Sequence, residues 1–194
     1  MYIFGLGNPG KEYELTRHNA GRIIFSYLKK EYDLPDWKED IKIKTLKSKG
    51  EINGEKVELF MPNNFMNNSG TTVTPIIDTP KKLTKLIVIY DDLDLPIGTL
   101  KISFNKSSGG HNGLESVIKK VKSKEFVRIR IGIMPVTPTG KYRKPKGEEA
   151  VMKFLLSSFK EDELKTLKKL SKKIAEIITM ISKEGKDKAM SVYN

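Results

Sequence analysis

A chain of 194 residues with 38% hydrophobic and 31% charged side chains has the balance of one soluble globular domain, residues 1–194, rather than of a disordered chain. No window nears the length of a transmembrane helix, so no membrane association is expected, and Met1–Gly5 lacks the basic start and long apolar stretch of a signal peptide. Zero cysteine excludes disulfides and thiolate metal sites and fits a cytoplasmic location, while a net charge of +12 that lies entirely after residue 100 is the footprint of a polyanionic partner.

In chain order, Tyr2–Leu6 reads as a buried first strand running into a glycine turn. Residues 19–32 have helical spacing on Ile23, Ile24, Tyr27 and Leu28. Two strands, 41–48 and 55–61, join through Asn53-Gly54, a type I′ hairpin signal. A helix is expected to open near Asn68-Ser69 in the segment Met66–Asp78. Leu86–Tyr90 is a β-branched run, read as a central strand that stops at Asp91. Another strand (99–104), a helix (113–122), an alternating strand (126–133) and a short helix (148–157) follow. Residues 135–147, rich in proline, glycine and basic side chains, predict a mobile basic loop. Residues 160–183 predict a long amphipathic C-terminal helix on Leu164, Leu167, Leu170, Ile174, Ile177, Ile178 and Ile181. Strands separated by helices, plus one hairpin, indicate an α/β fold with a twisted mixed, largely parallel sheet flanked by helices. In such sheets, sites form outside the C-terminal ends of strands.

The two histidines are each followed by asparagine inside a glycine-bounded segment, Thr16-Arg17-His18-Asn19-Ala20-Gly21 and Gly109-Gly110-His111-Asn112-Gly113. Without cysteine, histidine is the side chain that titrates near neutrality, so this pairing suggests chemistry. The run Gly5-Leu6-Gly7-Asn8-Pro9-Gly10 matches the dinucleotide fingerprint G-x-G-x-x-G, but the residues after it continue as a turn and no strand ending in an acidic residue follows. The run is therefore read as a tight turn that could aim Asn8 into a cleft. The cluster Asp91, Asp92 and Asp94 could bind Mg²⁺, cap a turn or orient a histidine; strand alternation sends Asp91 and Asp92 to opposite sides, and Asp91 is taken as the histidine's partner. In Met61–Gly70, four asparagines interleave with Phe65 and Met66, which suits recognition, with Asn68 or Ser69 capping a helix while Asn67 faces the site.

Taken in order, Gly5–Gly21, Pro62–Gly70, Tyr90–Gly98, Lys106–Gly113 and the strand Phe126–Ile133 resemble the bacterial-type peptidyl-tRNA hydrolases over nearly the whole chain. The resemblance implies a single-domain, usually monomeric enzyme that cleaves the ester between a peptide and the 3′ end of tRNA, recycling the tRNA. It implies His18 as general base, Asp91 as its orienting carboxylate, and Asn8 as a group positioning water or the substrate backbone. Asn67 matches a substrate-binding amide, His111 and Asn112 resemble groups that hold the peptide or terminal adenosine, and Tyr13 and Met66 line the same cleft. Lys101, Lys106 and Arg130 could contact acceptor-stem phosphates. An ester needs neither metal nor cofactor once water is activated and the oxyanion is stabilised, and none is expected. The chain departs from the family at Ser103, where relatives commonly carry a second lysine, at Met134, where they often show glycine, and in the longer, more basic 135–147 loop. A non-catalytic RNA-binding relative and a nucleotide-dependent enzyme remain as other readings.

Overall fold

The structure is a computed structural model that describes residues 1–137, 142 and 144–194. The mobile loop expected over 135–147 therefore falls in part, at 138–141 and 143, outside the described residues.

Seven strands form one mixed sheet: β1 (Tyr2–Gly5), β2 (Lys38–Asp40), β3 (Thr45–Ile52), β4 (Glu55–Pro62), β5 (Leu86–Pro96), β6 (Leu100–Phe104) and β7 (Val127–Met134), in the order β2-β3-β4-β1-β5-β7-β6. The central four, β4-β1-β5-β7, are parallel, and antiparallel strands flank them on both sides. This is the α/β fold expected from the alternating pattern. Helices α1 (Ala20–Glu31), α6 (Glu161–Glu184) and α7 (Lys186–Tyr193) cover one face. Helices α2 (Ser69–Val73), α3 (Pro80–Leu83) and α4 (Asn112–Val121) cover the other, and α5 (Glu148–Leu155) packs at the edge near the C-terminal strand ends.

Strand alternation sorts the core into two layers. On β1, Ile3 faces α1 and α6 while Phe4 faces α2 and α4; on β5, Ile87 and Ile89 join the first layer and Leu86, Val88 and Tyr90 the second. Both faces of these strands are covered, which is why Leu86–Tyr90 is apolar without interruption. Each fully buried aliphatic side chain there contributes about 1.5–3 kcal/mol.

The hairpin turn holds as expected, with Asn53 at φ 49° and Gly54 at φ 81°. Its first strand is displaced, running from Thr45 to Ile52 instead of over 41–48, because Ile52 must pair with Glu55 to close a two-residue loop. The central strand β5 does not stop at Tyr90. Asp91 and Asp92 pair with Ile131 and Gly132 of β7, and the ladder shifts register only between Asp92 and Pro96. The helix expected in Met66–Asp78 is short: a 3₁₀ turn (Met66–Asn68) leads into α2, which ends at Val73. Asn68 occupies its N-cap without a side-chain bond, and Ser69 Oγ donates to Met66 O instead. Strand β2 and helices α3 and α7 lack a strong apolar period and escaped the sequence reading. Among the described residues, no helix is long and apolar enough to cross a membrane.

Candidate active site

The site lies at the C-terminal edge of the parallel strands, where β1 and β5 end and the two helical layers converge. Parity decides which way the aspartates point. Asp91 follows Ile87 and Ile89 onto the α1 face, and Asp92 follows Val88 and Tyr90 onto the α4 face. His18 sits in a 3₁₀ turn (Arg17–Asn19) immediately before α1, and so meets Asp91.

His18 Nδ1 lies 3.0 Å from both Asp91 oxygens, with the two side chains 8% and 2% exposed. Burial would lower the His18 pKa, but the charge of Asp91 and its hydrogen bond outweigh burial and hold it above the usual 6.5. Burial pushes the Asp91 carboxyl up; the two histidines beside it prevail and hold it well below the usual carboxylate range. Asp91 is therefore an acceptor at neutral pH, His18 carries its proton on Nδ1, and Nε2 keeps a lone pair on the far side of the ring. His111, the residue before α4, places Nε2 3.1 Å from Asp91 Oδ1 and accepts the Leu114 N–H at Nδ1, also at 3.1 Å. The donor atoms of His18, Asp91 and His111 lie within 4.8 Å of one another, the closeness a metal site needs. In the structure the nitrogens facing Asp91 are hydrogen-bonded to its carboxylate, and the three residues form a hydrogen-bonded triad.

Asn8, in the turn that follows β1, is pinned from two sides. Asn19 Oδ1 accepts the Asn8 N–H at 2.7 Å, and Asn19 Nδ2 donates to Asn8 O at 2.9 Å. Asn8 Oδ1 accepts the Met66 N–H at 2.8 Å, which leaves its amide NH₂ as the donor end. The chain after Gly10 makes a 3₁₀ turn (Lys11–Tyr13) where the dinucleotide fingerprint needs a helix to open at once, and the start of α1, which packs on the glycine run, has the Asn19 side chain committed to the Asn8 backbone. Met66 is buried against Gly113, where any β-carbon would collide with the Met66 sulfur. Asn67 and Asn112 are exposed on the first turns of their segments, and Tyr13 meets Phe65 edge-on with ring centroids 6.5 Å apart.

A cavity of about 490 Å³ opens beside the triad, lined by His18, Asp91, His111 and Asn112, by Lys106 and by Arg130. Lys106 is exposed, whereas Arg130 donates from Nε to Asp92 Oδ2 at 2.6 Å, so part of its charge is already matched. Lys101 is exposed on β6 and is not part of this lining. Across the mouth, Lys144 Nζ reaches Asp94 Oδ1 at 2.6 Å and the Tyr142 hydroxyl donates to Asp94 O at 3.0 Å.

Three supporting residues escaped the sequence reading. Arg17 is buried, donates to Ile133 O and to both oxygens of Glu163, and lies over the rings of Phe154 and Phe159. Glu163, in the first turn of α6, also accepts the Lys160 N–H. Arg128, fully buried on β7, donates to Ser107 O and Lys124 O and so fastens the loop that leads to His111. Arginine alternating with isoleucine in Val127–Ile131 was the available signal for Arg128; nothing local marks the other two as partners.

The model of the family described as peptidyl-tRNA hydrolase matches residues 2–194. The chain belongs to the peptidyl-tRNA hydrolase family. It is 42% identical to a peptidyl-tRNA hydrolase of Fusobacterium nucleatum, over 99% of this chain and 95% of that protein, and 40% identical to one from Thermoanaerobacter over the full length of both. A crystal structure of peptidyl-tRNA hydrolase from Acinetobacter baumannii superimposes with a TM-score of 0.84 at 28% identity, covering all of this chain and 95% of that one. The family resemblance read from the ordered motifs is thus borne out over the whole length, and so is the single-domain α/β fold.

Proposed function

We infer that this chain performs the reaction of its family, hydrolysis of the ester linking a peptidyl or N-blocked aminoacyl group to the 3′ end of tRNA. The observation that carries this reading is the buried His18–Asp91 pair at the mouth of the cavity, with His18 Nδ1 committed to the carboxylate and Nε2 left basic.

His18 Nε2 takes a proton from water as the oxygen attacks the ester carbonyl. The tetrahedral oxyanion is held by amide N–H groups, with Asn67 as donor and the NH₂ of Asn8 aligning the water or the substrate backbone. One such donor is worth about 2.7–4 kcal/mol in the transition state. Collapse expels the ribose 3′-oxygen, which recovers the proton from the His18 imidazolium, giving a free peptide carboxylate and a tRNA 3′-hydroxyl. Asn112, His111, Tyr13 and Met66 border the path of the peptide and the terminal adenosine. The positive excess after residue 100 matches the phosphates of the acceptor stem, with Lys106 and Arg130 at the cavity and Lys101 on the adjoining edge strand. The protein works as a monomer in the cytoplasm, where peptidyl-tRNA is released from ribosomes.

The reading is tested by hydrolysis of an N-acetylated aminoacyl-tRNA beside its unacetylated form. Cleavage of the acetylated ester alone is expected; tRNA binding without cleavage of either would make the chain an RNA-binding relative. For the phosphate contacts, Lys106→Ala is expected to lower the slope of log affinity for tRNA against log salt by about one unit. An unchanged slope moves the contact elsewhere. Arg130→Ala is expected to weaken binding more than charge removal alone would, because Asp92 then faces the phosphates unpaired.

A further inference from the structure

His111 has no ring nitrogen to spare. Its Nδ1 accepts the Leu114 N–H, and a nitrogen that accepts carries no proton. The single ring proton therefore sits on Nε2, 3.1 Å from Asp91 Oδ1. The ring is gripped as well as bonded: Tyr90 meets it edge-on at 4.8 Å and the His18 ring lies 5.0 Å away. His18 has the complementary arrangement, with its proton on Nδ1 and its lone pair on Nε2. One buried carboxylate thus receives both histidines, held in opposite tautomers.

We propose that His111 is a positioning residue for hydrolysis: locked in its Nε2–H form by the Leu114 N–H in the first turn of α4, it occupies Asp91 Oδ1 and so limits how strongly that carboxylate retains a proton on His18. This rests on His18 being the general base. The physics is a competition for one acceptor. Asp91 stabilises the His18 imidazolium through its charge, and a second N–H dipole with its positive end at the same oxygen opposes any further positive charge nearby. Without it, His18 would be more often protonated near neutrality and less often available as a base. Of the other charged groups around the triad, Arg17 pairs with Glu163, Arg130 with Asp92 and Lys144 with Asp94, while Lys106 and Arg128, the latter donating to backbone carbonyls, also line the cavity. Glu148 also lines the cavity, and Tyr90, its pKa pushed by burial to about 12, stays neutral. His111 is therefore the uncharged donor through which the environment of Asp91 is adjusted.

The test uses His111→Asn. Asparagine keeps a side-chain acceptor for the start of α4 but is too short to bridge to Asp91. His18 is then the only histidine, and its imidazole is followed directly by NMR titration. The expected result is a His18 pKa raised by about half a unit to one unit over wild type, with the acid limb of kcat/KM moving up equally. At a pH below that limb, the rate falls about threefold to tenfold. A raised KM with an unmoved His18 titration would overturn the proposal and make His111 a substrate ligand. The wild type supplies a check that needs no variant: ¹⁵N shifts should show His18 as the Nδ1–H tautomer and His111 as the Nε2–H tautomer, and the same tautomer in both would also overturn it. Because both NMR readouts are independent of turnover, failure of His18 as the base would show separately, as activity surviving His18→Ala.

Discussion

His18→Ala is expected to lower turnover of N-acetylaminoacyl-tRNA by at least ~10²-fold, the low end for loss of a general base, with tRNA affinity essentially unchanged. The separation follows from geometry. His18 is buried at the strand ends and bonded to Asp91, while the basic side chains proposed to meet phosphates stand on β6, β7 and the loop between β6 and α4. Single-turnover rates and equilibrium tRNA binding, measured on the same preparation, check both halves. Near-wild-type turnover would sink the assignment of the base. The same bond sets the pH profile. With His18 as the proposed base, the reaction needs its neutral form; its folded pKa lies above 6.5, so kcat/KM is expected to climb with pH through that raised value. Stability runs the other way. The pair favours the imidazolium, so its contribution is complete below the unfolded value of 6.5 and is lost as pH rises through the folded pKa. Moderate alkalinity should therefore speed the reaction while slightly loosening the turn that carries the base, a pairing that rate and urea-unfolding curves over one pH series would reveal.

Glu163→Ala is expected to cost about 3–5 kcal/mol of stability, because it leaves the Arg17 guanidinium buried without its counter-charge. Arg17 and Glu163 are 4% and 7% exposed, so little solvent reaches the orphaned charge. The double variant Arg17→Met with Glu163→Leu should recover most of that stability, since apolar groups of similar volume suit a pocket walled by Phe154 and Phe159. It should not recover the rate. Arg17 immediately precedes His18, and its bond to Ile133 O, with the Arg17 N–H donated to Ser157 O, sets the turn from which His18 reaches Asp91. Equilibrium unfolding and kcat on the single and double variants separate packing from placement. A single variant within about 1 kcal/mol of wild type would show that the pair adds little. A double variant with full activity would show that the turn is set without it.

The local features of this chain were legible because their causes are local. Asn53-Gly54 specifies a turn by the backbone freedom of two residues, the apolar run Leu86–Tyr90 announces a strand covered on both faces, and period two alone sends Asp91 and Asp92 to opposite sides. Motif order added what no single segment carried, since His18, Asp91 and the Gly109–Gly113 segment belong together only as a series. The end of β5 was misplaced because aspartate argues against a strand by propensity, whereas pairing with Ile131 and Gly132 of β7 decides the matter.

What tertiary structure alone decided is how the candidate catalytic groups are held. The partners of Arg17 lie 116 and 146 residues away, and Asp91 draws its two histidines from helical layers on opposite faces of the sheet. Sequence determined which side chains were available for chemistry and roughly where the chain would bend. It could not determine which nitrogen of His111 would be occupied, or that Asn19 would clamp Asn8, because a hydrogen bond across such separations depends on the summed geometry of every element between. A buried polar group must find a partner, and in this fold the partners were supplied by packing rather than by neighbours in the chain.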